Sequence, residues 1–394
     1  MKKTPPVQSP SILPTGPLQL TAFRQNLTAA LKITSAAIPS RSTLPILSHV
    51  LLKADAQAQT LTLSATNLEI GLIVRVGARV SASGAIAVPF KTFSDLLNSL
   101  DVPDIDLLAE TRAMSLAITG ARTKSHLKGL DASEFPELNI RLKSFFSVPA
   151  SDFKQLIRRS TFSAATDEAR PVLTGVCFTV QNGLATLAAA DGFRLAEANH
   201  ALEAAEVAPV VIPSRVLDKL AGFMSDDDSL NIGLIVPDNQ SAATQIVFET
   251  GPLTLICQLL EGQFPDYKSL VPESAVNCLV NRLALTRALK TARVFAQASA
   301  FTTRLSFSPT ALTISAVSAE AGDGQIVLTE ADGYSFPGEP LELGVNCDFL
   351  AELVAAAETE QVSLGLTANT KPMLVTPVGA NGYRSVIMPM MLNK

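Results

Sequence analysis

The chain has 394 residues, of which 47% are hydrophobic and none is tryptophan, and its formal net charge is −5. This length is sufficient for two or three domains, each with its own core. The acidic balance gives no indication of nucleic-acid binding in the bulk composition, and it is typical of a soluble cytoplasmic protein. The cysteines are far apart and form no C-x-x-C pair, which favours buried, reduced thiols; they are Cys177, Cys257, Cys278 and Cys347.

Residues 1–16 are polar and rich in proline, and their basic start is followed by no apolar segment. A secretory signal needs such a segment, so these residues predict a disordered tail instead. No apolar run in the chain approaches the roughly 18 residues that cross a bilayer, which predicts a protein without a membrane partner.

After this tail, a set of elements occurs once. Phe23, Leu27 and Leu31 are four residues apart, which predicts a helix, and the alternating stretch 61–66 predicts a strand. Residues 88–97 then change from an extended, β-branched pattern to an apolar helical one. This change predicts a strand that leads directly into a second helix.

The same order of elements returns in the middle of the chain. A basic and apolar helix is predicted with Ser151 or Asp152 as its N-cap, and Asn182-Gly183 is a strong hairpin signal before an alternating strand. Residues 212–220 repeat the change from strand to helix. A Phe-Pro segment closes both copies, at 129–138 and at 260–267.

A third copy follows, with a helix anchored by Leu285, Leu289 and Ala292, a strand at 312–317 and the strand-to-helix change at 345–353. The three strand-to-helix segments are spaced by 213 − 89 = 124 and 346 − 213 = 133 residues. A period of this size is a whole domain. The sequence therefore predicts an α+β protein of three similar domains, each with two helices packed on antiparallel sheets, at residues 17–144, 145–272 and 273–394.

Basic residues recur on the first helix of each copy, on the side opposite the apolar stripe. We expect them to face solvent, either as an ordinary solvated surface or as a surface that contacts phosphates. They are Lys154, Arg158 and Arg159 in copy two, Arg287, Lys290 and Arg293 in copy three, and only Arg24 and Lys32 in copy one.

Catalytic and metal-binding patterns are missing from the sequence. His49, His126 and His200 have no metal-ligand spacing, and there is neither a Walker A loop nor a G-x-G-x-x-G segment. Ser151 and Lys154 match S-x-x-K without its companion motifs, which leaves a β-rich hydrolase as an alternative of another class. The run of three aspartates at 226–228 favours a solvated turn. We therefore expect no enzyme activity, no metal and no cofactor.

Five segments of the chain have a distinctive sequence. They are Arg41-Ser42-Thr43-Leu44-Pro45-Ile46-Leu47, Ala65-Thr66-Asn67-Leu68-Glu69-Ile70, Ala189-Ala190-Asp191-Gly192-Phe193-Arg194-Leu195-Ala196, Phe264-Pro265-Asp266-Tyr267 and Val386-Ile387-Met388-Pro389-Met390. Together and in this order they resemble one family, the bacterial DNA polymerase III beta subunit.

The resemblance implies a DNA clamp fold whose two chains close head-to-tail into a ring around double-stranded DNA. It implies a processivity factor, non-catalytic itself, within the polymerase holoenzyme. The expected partners are a second copy of the chain, the replicative polymerase alpha subunit, the clamp loader and repair polymerases. These proteins would bind through short linear peptides in a groove between domains two and three.

Matching positions give the site residues that the resemblance implies. Arg41, Arg170 and Arg215 join the basic helix residues of copies two and three in contacting DNA. Leu127 would face Val294 and Phe295 of the other chain at the ring junction. The peptide groove would comprise Leu173, Asp191, Gly192, Phe193, Arg194, Leu195, Pro265, Leu270, Asn346, Phe349, Val386, Met388, Pro389, Met390 and Leu392. In that groove Arg194 and Asn346 are expected to hold the peptide backbone, and each apolar member could equally be plain core.

The chain departs from the family pattern at Phe193, where histidine is usual, and at Ser269 and Met391, where basic residues are common. These changes support one alternative, a specialised or duplicate clamp with altered partner or inhibitor binding.

Overall fold

The computed structural model describes residues 17–110, 113–138 and 144–392. The predicted tail at 1–16 lies outside the described residues. The chain forms two compact units. One takes the residues up to Ser151 together with Gly222–Leu259, and the other takes Asp152–Ala221 together with Leu260–Lys394. The predicted domain boundaries at 144 and 272 stay a prediction.

The first third of the chain contains two helices and nine strands among its described residues. In order they are β1 (Gln19–Phe23), α1 (Arg24–Thr34), β2 (His49–Asp55), β3 (Thr60–Thr66), β4 (Ile70–Gly77), β5 (Arg79–Ala82), β6 (Gly84–Pro89), α2 (Phe90–Ser99), β7 (Asp104–Glu110), β8 (Ser115–Gly120) and β9 (Thr123–Lys128).

The middle third repeats this arrangement with two helices and eight strands among the residues described. They are β10 (Ser144–Pro149), α3 (Ala150–Ser160), β11 (Gly175–Gln181), β12 (Leu184–Ala190), β13 (Arg194–Ala201), β14 (Val207–Pro213), α4 (Ser214–Phe223), β15 (Ser229–Ile235), β16 (Gln245–Thr250) and β17 (Leu253–Gln258).

The last third, within its described part, again has two helices and eight strands. They are β18 (Val276–Asn281), α5 (Arg282–Ala296), β19 (Thr302–Phe307), β20 (Leu312–Ser318), β21 (Gly322–Leu328), β22 (Leu341–Asn346), α6 (Cys347–Ala356), β23 (Gln361–Leu366), β24 (Met373–Pro377) and β25 (Tyr383–Ile387).

Antiparallel sheets connect these thirds. In the first unit, a five-stranded sheet has the order β5-β1-β7-β8-β9, and an eight-stranded sheet has the order β10-β15-β16-β17-β4-β3-β2-β6. In the second unit, an eight-stranded sheet runs β14-β11-β12-β13-β25-β24-β23-β18, and a four-stranded sheet runs β21-β20-β19-β22. Because β4 pairs with β17 and β13 with β25, each eight-stranded sheet joins two copies of the repeat.

The strand-to-helix change, found three times in the sequence, occurs six times among the residues that the structure describes. Each of the six helices follows directly on a strand: β1, β6, β10, β14, β18 and β22. Asn281 and Asn346 cap the two helices of the last third, each accepting two backbone N–H groups through its side-chain oxygen. Such caps satisfy donors that the first helical turn leaves unpaired.

Three local predictions have clear outcomes. Asn182 and Gly183 have φ angles of 52° and 73°, which is the left-handed backbone that a tight two-residue hairpin between β11 and β12 requires. Phe23 does not belong to the buried stripe of α1, because it ends β1 with 59% of its surface exposed. Ser151 and Asp152 lie inside α3, which already begins at Ala150, so neither is its N-cap.

The core of each repeat is built from these helices and strands. Leu27 and Leu31 of α1 are buried, and so are Phe93 of α2 and Phe153 of α3. Each such side chain contributes about 2 to 3 kcal/mol by leaving water. All four cysteines are buried and none of them forms a disulfide, as the sequence predicted. None of the described helices is long and apolar enough to cross a membrane.

Candidate functional site

A tight turn between β12 and β13 presents Phe193 to solvent. The Asp191 carboxylate accepts the backbone N–H groups of Phe193 and Arg194 at 2.8 and 2.9 Å. Gly192 has a φ of 93°, a conformation that glycine adopts without strain. The turn leaves Phe193 64% exposed, with its ring centroid 6.5 Å from that of Phe349 on α6.

Arg194 begins β13, and its guanidinium is already occupied within the chain. Its nitrogens contact the Asp191 carboxylate at 3.2 Å, the Phe162 carbonyl oxygen at 2.6 Å and the Glu352 carboxylate. The guanidinium also lies 4.2 Å from the centre of the Phe349 ring. With only 9% of its side chain exposed, Arg194 builds the wall of the site. The expectation that it holds a peptide backbone stays a prediction.

Asn346 was expected to share that role, and its amide is also engaged. Its side-chain oxygen caps α6 by accepting the N–H groups of Asp348 and Phe349, and its nitrogen donates to the Ala300 carbonyl at 3.4 Å. The residue therefore fixes the start of the helix that carries Phe349.

Residues 388–392, called the chain end below, lie along this site and are held by two backbone hydrogen bonds. The Met388 N–H donates to the Phe193 carbonyl, and the Met390 N–H donates to the Gly344 carbonyl on β22, both at 2.8 Å. A Cβ atom at Gly344 would lie 2.5 Å from the Met390 carbonyl oxygen, so only glycine permits this approach.

The apolar members of the predicted groove fall into two groups. Leu173, Leu195 and Val386 are buried in a cluster that also contains Phe264 and Tyr267, so they are core residues beneath the site. Burial raises the pKa of the Tyr267 hydroxyl, which keeps it protonated. Phe193, Leu270 and Met388 form the exposed group. Met391, which was not among the predicted groove residues, is exposed close to Met388 in sequence. Pro265 is also exposed, whereas Pro389, Met390 and Leu392 are half-buried.

The basic residues of α3 do not share one face. Arg158 is exposed. Arg159 is 10% exposed and lies inward, with its guanidinium 3.2 Å from the Glu358 carboxylate and 5.9 Å from the centre of the Tyr383 ring. The prediction that Arg159 faces solvent is therefore wrong, because its charge is neutralised inside the unit. Lys154 is half-buried.

On α5, Arg287 and Lys290 are exposed one turn apart. Arg293 is half exposed, but its Nε lies 2.5 Å from the Asp348 carboxylate and its guanidinium 5.2 Å from the centre of the Phe301 ring. The hydrogen bond to Asp348 raises the pKa of Arg293 further above its ordinary value. Arg293 is thus a charge with a fixed internal partner.

The remaining predicted DNA contacts, Arg41, Arg170 and Arg215, are all exposed. A Cβ placed at Gly192 would be 3.9 Å from the Arg170 guanidinium, so Arg170 lies beside the turn that carries Phe193. Within the described ranges, no group of three histidine, cysteine or acidic side chains could hold a metal ion.

The predicted ring-junction residues lie on an edge strand and on a helix that packs next to another edge strand. Leu127 belongs to β9, an edge strand of the five-stranded sheet in the first unit. In the second unit, Val294 is 64% exposed at the end of α5, and Phe295 covers the edge strand β21, where a Cβ at Gly324 would lie 2.4 Å from its ring.

Four residues of the site were missed from the sequence: Phe162, Glu352 and Phe301, which pair with arginines, and Gly344, which admits the chain end. Only Glu352 had a signal, since it shares a helical face with Asp348 and Phe349. The other contacts depend on tertiary structure.

Known proteins resemble this chain over nearly its whole length. Models of the DNA polymerase III beta subunit match three times: the N-terminal domain at residues 18–139, the central domain at 147–266 and the C-terminal domain at 268–391. A beta sliding clamp from Synechococcus elongatus is 32% identical over 382 residues, which cover 95% of this chain and 100% of that relative.

Solved structures extend the comparison. The DNA polymerase III subunit beta from Pseudomonas aeruginosa is 27% identical, with a TM-score of 0.87 over 95% of this chain and 100% of that one. The DNA polymerase sliding clamp from Bacillus subtilis shares the fold at 22% identity, with a TM-score of 0.88 over 96% of this chain and 100% of that one. The chain has the three-domain clamp fold, and it belongs to the family of the bacterial DNA polymerase III beta subunit, the beta sliding clamp.

Proposed function

We propose that this chain is a processivity clamp: a non-catalytic subunit that encircles double-stranded DNA in the cytoplasm and tethers the replicative polymerase to it. The observation that carries the proposal is the match of all three clamp domains, in order, over residues 18–391. A specialised clamp with altered partners is not favoured, because the relatives it matches are named beta sliding clamps. The alternative of a β-rich hydrolase is not favoured either, because the family to which the chain belongs is non-catalytic.

We assign contact with DNA to the predicted basic residues whose side chains are exposed or half-buried. Arg159 leaves the predicted set because it is buried, and Arg293 contributes less because Asp348 neutralises it. The proposed contacts are Arg41, Lys154, Arg158, Arg170, Arg215, Arg287 and Lys290. Such phosphate contacts are independent of sequence and weaken with salt, which suits a ring that slides.

Ring closure would pair two copies head-to-tail through equivalent junctions. The edge strand β9 with Leu127, and the edge strand β21 with Val294 and Phe295, are the two surfaces that we assign to it. Unpaired strand edges are templates for pairing with another chain. A contact between unlike surfaces closes into a ring when its rotation permits, here with two copies.

Partner proteins would bind in the second unit, where Phe193, Leu270, Met388 and Met391 expose an apolar surface beside the held chain end. Apolar and methionine side chains suit the hydrophobic anchors of short linear peptides. We assign the polymerase alpha subunit, the clamp loader and repair polymerases to this surface as successive occupants.

Retention on DNA tests the proposal. The chain is loaded with a clamp loader onto nicked circular DNA and separated from free protein by gel filtration, before and after the circle is cut. We expect it to stay on the circle and to leave the linear product, because the linkage is topological. Equal retention on both forms, or a monomer at micromolar concentration by native mass spectrometry, would refute it.

A further inference from the structure

Helix α6 and the residues just after it carry three carboxylates that each pair with an arginine of another element. One of these pairs reaches the partner-binding surface. The pairs are Asp348 with Arg293 of α5, Glu352 with Arg194 of β13, and Glu358 with Arg159 of α3.

The pair that reaches this surface forms part of a stack. The Glu352 carboxylate bonds the Arg194 guanidinium, which lies 4.2 Å from the centre of the Phe349 ring. Phe349 in turn lies 6.5 Å from the ring of Phe193, at an interplanar angle of 33°. Glu352 and Phe349 are three residues apart on α6 and so lie on the same helical face. That face therefore provides both the carboxylate that positions the Arg194 guanidinium and the ring that the guanidinium covers.

Glu352 is 52% exposed, whereas Arg194 is 9% exposed. The exposed carboxylate therefore gains little by itself. Its effect is on the buried cation: without Glu352, Asp191 is the only carboxylate in contact with Arg194 among the described residues. The guanidinium then keeps its contacts with the Asp191 carboxylate and the Phe162 carbonyl oxygen, but it is held less firmly over the Phe349 ring.

We infer that Glu352 is a positioning residue for peptide binding, which acts through Arg194 and Phe349 to hold Phe193 as a preformed wall of the groove. The inference rests on the proposed function, since it specifies how the same surface recognises its peptide. A preformed wall lowers the ordering cost of association, so its loss shows mainly in faster dissociation.

The test uses the full-length chain and a fluorescein-labelled decapeptide from the clamp-binding segment of the same organism's replicative polymerase. Glu352→Ala is expected to raise the Kd about fivefold, mainly through the dissociation rate. Asp348→Ala is the matched control: it removes a carboxylate from the same helix, paired with an arginine on α5, and is expected to leave the Kd unchanged. Thermal unfolding establishes that both variants are folded.

A second background separates positioning from general loosening. If Glu352 acts through the wall, then Glu352→Ala has no further effect on the Kd in a chain that already carries Phe193→Ala. An unchanged Kd in the single variant, an equal loss in Asp348→Ala, or a full additional loss in the Phe193→Ala background would each overturn the inference. If the unmodified chain fails to bind the peptide, the proposed peptide groove fails first and the inference with it.

Discussion

The guanidinium of Arg159 and the carboxylate of Glu358 form an ion pair at 3.2 Å, although the residues are 199 positions apart. The Gln155 side chain donates to the same carboxylate at 3.0 Å. Arg158, the neighbour of Arg159, is exposed. Two adjacent arginines on one helix therefore have different roles. Arg158 adds to the positive charge of the surface, and Arg159 forms an ion pair in the interior of the unit.

Replacing the exposed member tests the first role. Arg158→Ala removes one phosphate contact, so the affinity for a fluorescent duplex at low salt should fall about threefold, and the slope of log K against log salt should decrease by about one. The free energy of unfolding should change by less than about 0.5 kcal/mol, since the site is on the surface. An unaltered salt slope would remove Arg158 from the DNA surface.

Replacing the buried arginine, Arg159, should lower the stability of the fold and leave the affinity for DNA nearly unchanged. Arg159→Ala leaves Glu358 without its cation and removes the guanidinium near the Tyr383 ring. Because Glu358 is 37% exposed, water compensates part of this loss, and we expect a destabilisation of about 1 to 3 kcal/mol in urea unfolding. Binding of the duplex should stay within about twofold of the unmodified chain. A large loss of DNA affinity at unchanged stability would contradict the inward assignment.

Gly344 gives a test of the chain end. Gly344→Ala places a methyl group 2.5 Å from the Met390 carbonyl oxygen, which is too close, so the segment around Met390 must move away from β22. We expect at least a tenfold loss in affinity for the decapeptide from the polymerase, with self-association intact. Gly222→Ala in α4 is the control, since no atom lies within 4 Å of its added Cβ. Equal peptide affinity in both variants would separate the chain end from the groove.

The ring junction can be tested in the same way. A Cβ at Gly324 would lie 2.4 Å from the Phe295 ring, so Gly324→Ala should push that ring off β21 and reshape the proposed contact with β9. Sedimentation velocity should show at least a tenfold rise in the dimer dissociation constant. Gly77→Ala, with open space around its Cβ, should sediment as the unmodified chain does. Dimers of equal strength in both variants would contradict the assignment of this junction.

Local chemistry made much of this architecture predictable. The Asn182-Gly183 hairpin follows from two residues that tolerate left-handed backbone, and the strand-to-helix change is visible wherever an alternating pattern gives way to an apolar helical one. Phe23 misled the helix assignment because it fits the four-residue spacing while lying in β1. The partners of Arg159 and Arg194 could not be predicted, since Glu358 and Glu352 lie more than 150 residues further along the chain. Whether an arginine faces water or an interior carboxylate depends on such distant contacts.

Two buried thiols give the fold a dependence on alkaline pH. Burial raises the pKa of Cys177 to about 11 and that of Cys278 to about 12, from an ordinary value of 9.0. The folded chain therefore holds these protons more tightly than the unfolded chain does. The resulting stability is complete below about pH 9, and it is lost as the pH rises through 11 and 12.

For Cys177 alone, this linkage amounts to about 1 kcal/mol between pH 8 and pH 10. Urea unfolding of the unmodified chain should show this loss, and Cys177→Ala should show a pH dependence that is weaker by that amount, whatever its stability at pH 8. Tyrosines and lysines titrate in both chains, so their shared contribution to the pH dependence of stability is removed when the two chains are compared. Iodoacetamide at pH 8 should modify none of the four thiols in the folded chain and all four in urea, because burial blocks access and suppresses the thiolate. Identical pH dependence in the two chains, or rapid modification of folded Cys177, would show that this thiol is not protected as the structure indicates.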